Sequence, residues 1–203
     1  MSSDEVLAST LAHPVLTRLT AALASRTPRE ASDALARQAA VAAVLRVTHA
    51  PELLFIKRAE VAGDPWSGHI AFPGGRHDPE DASLAHTAWR ETWEETAVDV
   101  TRHGRVLGQL DDLAPRNPTL PRLIIRPFVA LVPADCVVTA NHEVAAHYWV
   151  PLDELRRPDR QAEHVMEYDG QRLRFPGVLV GGHVTWGLTE RILRQLLAFT
   201  ASV

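Results

Sequence analysis

Apolar and polar positions alternate with two different periods along the chain. After Pro14, Val15, Leu16, Leu19, Ala22 and Leu23 recur at helical spacing in VLTRLTAALASR. REASDALARQ (29–38) follows as a second, weaker helical pattern. From residue 41 the pattern shortens. VAAVLRV (41–47) and ELLFIKR (52–58) have strand length, and His49-Ala50-Pro51 between them reads as a turn, so the two predict a hairpin. HIAF (69–72) is a short strand leading into Pro73-Gly74-Gly75, and SLAHTAWRETWEET (83–96) is helical. RVLGQLDDL (105–113) and LIIRPFVALV (123–132) read as strands on either side of the proline-rich loop APRNPTLP (114–121). AHYWVPLDELRR (146–157) starts as a strand and passes into a short helix. HVMEYDGQRLRF (164–175) carries Asp169-Gly170 between alternating flanks, a hairpin signal. HVTWGLTERILRQLLAFT (183–200) predicts a closing helix. Strands interspersed with helices predict a mixed sheet covered by helices, within a domain over 41–203 preceded by a helical extension over 1–40.

Composition narrows the partners. At 203 residues, 46% apolar and 23% charged, the chain supports a sizeable core. A net charge of −4 argues against duplex nucleic acid, which recruits a basic surplus. The single cysteine, Cys136, excludes an intramolecular disulfide and a cysteine-based metal site. None of the ten histidines forms an H-x-x-x-H pair, which disfavours zinc. No leader-like segment and no run of about 18 apolar residues is found, so the expectation is a cytoplasmic protein with no membrane partner.

The 83–96 helix carries the chemistry. At 100° per residue, Leu84, Ala85, Ala88, Trp89 and Thr92 share the face that packs on the sheet. Glu91, Glu94 and Glu95 crowd an adjoining face, where like charges three and four apart cost roughly 0.2–0.5 kcal/mol each. They also sit in the C-terminal half, where the helix dipole disfavours anions. A divalent cation reverses the sign of these terms, and Mg²⁺ is typically held by a few carboxylates, water and substrate phosphate. Gly74 and Gly75 allow a backbone carbonyl to turn toward the helix, and the Gly75 carbonyl is a candidate neutral ligand. Arg90 can pair with a carboxylate and offset the repulsion. A solvated acidic face is the alternative reading of the same residues.

GGRHDPEDASLAHTAWRETWEETAV (74–98) resembles the Nudix box: Gly, five residues, Glu, seven residues, Arg-Glu-apolar-x-Glu-Glu-x-Gly-apolar. The chain from about 41 to 200 looks like a Nudix hydrolase, which implies an α/β/α sandwich around a mixed sheet and Mg²⁺- or Mn²⁺-dependent cleavage of a diphosphate in a small nucleoside-diphosphate-linked molecule. The match departs from the general box at four points. Arg90 lies one residue farther from Gly75, Asp81 replaces Glu, Ala97 stands at the Gly position and Thr92 at the apolar one. The extra residue and Asp81 resemble the coenzyme A diphosphatase branch, as do LFIKR (54–58), SGHIAFPGG (67–75), IRPFVALV (125–132) and HVTWGLTERIL (183–193). A second Arg of that branch signature has no counterpart in AEVAGDPWSG (59–68). The substrate reading is therefore coenzyme A or a derivative, against ADP-ribose, NADH, a nucleotide sugar or a nucleoside triphosphate. A binding module that has lost catalysis is the alternative of another class.

The resemblance assigns roles. Glu91 and Glu95 are direct metal ligands with the Gly75 carbonyl, and Glu94 is either a third ligand or the partner of Arg90. Glu143, just before a strand, is the candidate to act as general base or complete a metal site, with an ordinary loop acid as the equal alternative and Asp111 and Asp112 as the second option. Arg58, rather than Lys57, contacts substrate phosphate beside Gly74 and Gly75. Trp66 is a candidate base-stacking residue or packing, His77 and His86 are surface residues, and loop 111–121 is the expected determinant of substrate choice. Residues 1–40 are candidates to cover the sheet or to build a homodimer interface.

Overall fold

The computed structural model describes residues 3–63, 66–115 and 122–201. Helices α1 (Ser3–Leu11) and α2 (Pro14–Ala24) lead to strands β1 (Arg37–Val47), β2 (Pro51–Arg58), β3 (Ile70–Ala71) and β4 (Gly74–Arg76). Helices α3 (Leu84–Thr96) and α4 (Val100–His103) precede β5 (Arg105–Gln109), β6 (Leu123–Leu131) and β7 (Val144–Pro151). After α5 (Leu152–Arg156) come β8 (Gln161–Tyr168), β9 (Gln171–Val180), β10 (His183–Trp186) and α6 (Gly187–Thr200).

Among the described residues, seven strands form one mixed sheet with the path β3-β2-β1-β6-β5, to which β4 adds on β1 and β7 on β2. The β1–β6 pair is parallel and runs from Arg37 opposite Leu123 to Leu45 opposite Leu131; the other pairs are antiparallel. A three-stranded antiparallel sheet, β10-β9-β8, stands apart.

Strand β1 shows why its sequence reads as a continuous apolar run. Ala39, Ala43 and Leu45 enter a core with α1, α2, α5 and α6, whereas Ala40, Ala42 and Val44 enter a second core with α3 and α4. Successive side chains point to opposite faces and both faces are covered, so residues 39–45 of the strand are apolar at every position. The molecule is thus an α/β/α sandwich, as expected.

The hairpin β1–β2 forms, and Asp169-Gly170 turns β8 into β9 with φ of 49° and 69°, the doubly left-handed turn that the pair Asp-Gly favours. Two expected elements are corrected. Residues 29–36 are not helical: the Arg29 and Ala31 amides donate to the Asp111 and Asp112 carboxylates at 2.9 Å each, and the Arg29 carbonyl accepts from the Asp112 amide at 2.9 Å. Those backbone groups are bonded across the sheet and are not available to a helix ladder. The boundary at 40/41 falls inside β1. The preceding helices bury Leu16 and Leu19 completely in the same core as Leu45 and Phe55. In 183–200, the first four residues form β10 against β9, and the helix begins at Gly187, whose φ of 69° marks the break. Among the described residues, no helix is long and apolar enough to cross a membrane.

Helix α3 is capped at both ends. Ser83 Oγ accepts from the His86 amide at 3.1 Å, and Ala97 takes the left-handed conformation with φ of 55°. An L-residue is strained there and glycine is not. Ala97→Gly is expected to stabilise the protein by about 0.5–1 kcal/mol and raise the thermal midpoint by roughly 2–3 °C. A lowered midpoint in calorimetry would contradict this account of the cap.

Candidate active site

Strand β4 lies against α3 and brings the glycines to the carboxylates. The Gly74 amide donates to Glu95 Oε2 at 2.9 Å. A Cβ on Gly75 would overlap the Glu91 carboxyl group, so glycine is the residue this approach permits. Glu95 is 3% exposed, and burial pushes its carboxyl up to about 8, with Glu91 and Glu143 adding to the rise and the Gly74 amide and Arg58 opposing it. Burial also raises Glu91, against the opposing charge of Arg90. Two carboxylates thus sit side by side in a partly desolvated pocket and resist ionisation.

Glu94 behaves differently. Its side chain is half-exposed and accepts from Arg90 Nη1 at 3.0 Å. Arg90 is gripped from behind by Asp81, whose two oxygens accept from Nε and Nη2 at 2.9 Å each, and it also reaches Glu91 Oε1 at 3.1 Å. Asp81 is buried and accepts from Thr87 Oγ1 at 2.8 Å and from the Asp78 amide at 3.2 Å. The Arg90 hydrogen bonds hold the Asp81 carboxyl far below the usual range. Asp81 therefore orients Arg90, and Arg90 orients Glu91 and Glu94. Thr92, at the apolar position of the box, is fully buried because its hydroxyl donates to the Ala88 carbonyl at 2.6 Å.

The segment before β7 closes the site. The Thr139 and Asn141 amides donate to the Thr96 and Glu95 carbonyls at 2.8 and 3.1 Å, which satisfies the C-terminal end of α3. The Ala59 amide donates to the Glu143 carbonyl at 2.7 Å, and the exposed Glu143 carboxylate acts electrostatically on both Glu91 and Glu95. Thr139 and Asn141 escaped the sequence reading because their only signal is backbone bonding to a distant helix end. Arg58, at the end of β2, also acts on Glu95. Lys57 pairs in the sheet with Ile70 and Ala146.

Other candidates are placed elsewhere. Asp112 is gripped by Arg126 Nε and Nη2 at 2.9 Å each, and Asp111 pairs with Arg29 at 2.8 Å and with Arg26. Both acids hold residues 26–31 against the sheet, which corrects their reading as a general base. His77 is not a plain surface residue: its Nδ1 shares a hydrogen bond with Thr87 Oγ1 at 2.9 Å, and His86 Nδ1 lies 3.2 Å from Asp81. His69 packs its ring 5.5 Å from Trp186, and Trp66 stays 37% exposed. Cys136 is half-buried against the α3-side core, and burial raises its thiol. Residues 116–121, most of the loop expected to choose the substrate, lie outside the described residues.

No three acidic, histidine or cysteine side chains among the described residues already converge on one point. The donor set nevertheless suits a hard cation. Glu91 and Glu95 are oxygen donors whose burial outweighs the opposing charges of Arg90 and Arg58 and disfavours their charged forms, and a divalent cation would offset that penalty.

A mixed sheet lies between two helical layers, with a glycine strand laid against the carboxylates of α3. The NUDIX domain profile matches residues 36–168, and the chain belongs to the Nudix family. It is 35% identical over 161 residues to the "Uncharacterized Nudix hydrolase NudL" of Yersinia pestis (strain Pestoides F), a match covering 79% of this chain and 78% of that protein. Among solved structures, a Nudix hydrolase from Alicyclobacillus acidocaldarius superposes with a TM-score of 0.57 at 21% identity, covering 82% of this chain and 93% of that one. A MutT/nudix family protein from Enterococcus faecalis gives 0.55 at 17% identity, covering 89% and 67%. The protein is accordingly a hydrolase of acid anhydrides.

Proposed function

We propose that the enzyme hydrolyses the diphosphate of coenzyme A or a derivative, with Mg²⁺ or Mn²⁺, giving 3′,5′-ADP and a 4′-phosphopantetheine. The observation that carries the metal-dependent reading is the pair of buried Glu95 and partly buried Glu91 set against Gly74 and Gly75. Glu91, Glu95 and the Gly75 carbonyl would hold the ion, with Glu94, here on Arg90, as a further candidate ligand. When bound, the ion supplies charge neutralisation on the diphosphate oxygens and lowers the pKa of a coordinated water. Arg90, fixed by Asp81, keeps Glu91 in place. Arg58 and the glycine strand orient the phosphates. Glu143, at the rim, takes the proton of the attacking water. The new bond joins the water oxygen to phosphorus while the bridging P–O bond breaks. The coenzyme A branch rests on Asp81 and the extra residue before Arg90, and Asp81 holds Arg90 with both oxygens.

The test is product release from a substrate panel with Mg²⁺ and with EDTA. The expected result is 3′,5′-ADP from coenzyme A well above AMP from ADP-ribose or NADH, abolished by EDTA. Preferred release of AMP from ADP-ribose or NADH would move the substrate class. EDTA-resistant turnover would remove the metal.

A further inference from the structure

The strand that presents Gly75 to Glu91 presents its next residue to the other side of the sheet. Gly75 lies opposite Ala40, which faces the α3 core, and Arg76 lies opposite Ala39, which faces the α2–α6 core. Residues opposite one another across an antiparallel pair project to the same face, so Arg76 shares the face of Ala39. Arg37, two positions before Ala39 on β1, shares it too. The two arginines are diagonal neighbours, a placement that separates residues by roughly 7–8 Å.

Both are exposed, and with Gln38 and His77 they line a cleft of about 390 Å³. Among the described residues, neither guanidinium has an ion pair or a side-chain hydrogen bond. Arg46, Arg90 and Arg126 each have a carboxylate within 3.1 Å. The carbonyl of a third arginine, Arg122, accepts from the Arg37 amide at 2.9 Å, and Arg122 itself reaches Asp33 at 3.3 Å. In a chain of net charge −4, this corner gathers unneutralised positive charge. Two adjacent like charges repel and stabilise nothing by themselves, just as the glutamates on the opposite face do. An anion between them reverses the sign, and a phosphate monoester offers the oxygens that two planar guanidinium forks match.

We propose that the Arg37–Arg76 cleft binds a phosphate monoester. Consecutive Cα atoms are about 3.8 Å apart, so the cleft begins one residue from the glycine that faces the carboxylates. The monoester is either the 3′-phosphate of the substrate, which rests on the coenzyme A reading above, or belongs to a separate phosphate compound.

The test compares the full-length protein with Arg37→Gln, Arg76→Gln and the double variant. In EDTA at low salt, titration with inorganic phosphate is expected to show saturable binding by NMR, weakened tenfold or more in the double variant. Equal phosphate binding by wild type and double variant, or none by either, overturns the proposal. With Mg²⁺, kcat/KM is measured for coenzyme A and for its 3′-dephospho form. If the cleft takes the substrate's phosphate, the double variant loses at least tenfold of the preference for coenzyme A, while dephospho turnover stays within twofold. An unchanged preference together with lost phosphate binding supports the cleft and assigns it a separate phosphate compound. If wild type hydrolyses neither compound, the substrate reading fails, and the phosphate titration still decides the cleft.

Discussion

Glu95→Gln is expected to lower kcat at least a hundredfold while making the metal-free protein more stable at alkaline pH. The glutamine carbonyl can still accept from the Gly74 amide, so the local fold persists and only the charge is removed. Charge stabilisation by a metal site is worth several kcal/mol, and each 1.4 kcal/mol is about tenfold in rate. The stability effect follows from linkage. Glu95 is pushed up to about 8 from an ordinary 4.5. Between those values the folded protein keeps a proton that the unfolded chain has released, so stability falls as pH rises through that window. The loss is on the order of a few kcal/mol. Chemical denaturation in EDTA between pH 4.5 and 9 should show this decline in wild type and a flatter profile in Glu95→Gln. Added Mg²⁺ should recover stability in wild type alone. Identical profiles for the two proteins would show that burial of Glu95 does not oppose its charge.

Asp81→Asn is expected to cost about 3 kcal/mol and to lower metal affinity and kcat by about 10–100-fold. Asp81 is nearly inaccessible and holds Arg90 through two bonds, so the variant removes the buried charge that anchors the guanidinium and leaves it only Glu91 and Glu94. The thermal midpoint should fall by roughly 6–10 °C for a chain of this length. Asp81 is held low by its hydrogen bonds from Arg90. Its contribution is thus fully present above the ordinary 3.8 and is lost as pH falls toward the lower folded value. Wild type and Asp81→Asn should therefore converge in stability under strongly acidic conditions. A variant with unchanged metal titration and unchanged kcat would mean that Arg90 orients nothing.

Local pattern was enough to read much of this molecule. The 83–96 helix, the β1–β2 hairpin and the Asp169-Gly170 turn each depend on residues within a few positions of one another. Periodicity and turn chemistry record such short-range geometry. The like-charged cluster Glu91, Glu94 and Glu95 was legible for the same reason, because i,i+3 and i,i+4 spacing places side chains on one helix face in any fold.

What escaped the reading depends on partners far away in the chain. REASDALARQ has a helical pattern, yet its backbone bonds to Asp111 and Asp112, some eighty residues on. Those two acids look like catalytic candidates until Arg26, Arg29 and Arg126 are seen to occupy them. The three glutamates look equivalent on a helical wheel. Packing separates them, burying Glu95 under Gly74, setting Glu91 against Gly75 and leaving Glu94 half-exposed on Arg90.

The amino-acid sequence alone determined the family box, the order of most elements and the acidic face that asks for a cation. Tertiary structure decided which carboxylates are desolvated, that Asp81 is the anchor of Arg90, and that Arg37 meets Arg76 across β1 and β4. The physical reason is range. Periodicity encodes which face a residue takes, but burial, and with it the energy of a charge, is set only when distant strands and helices close around it.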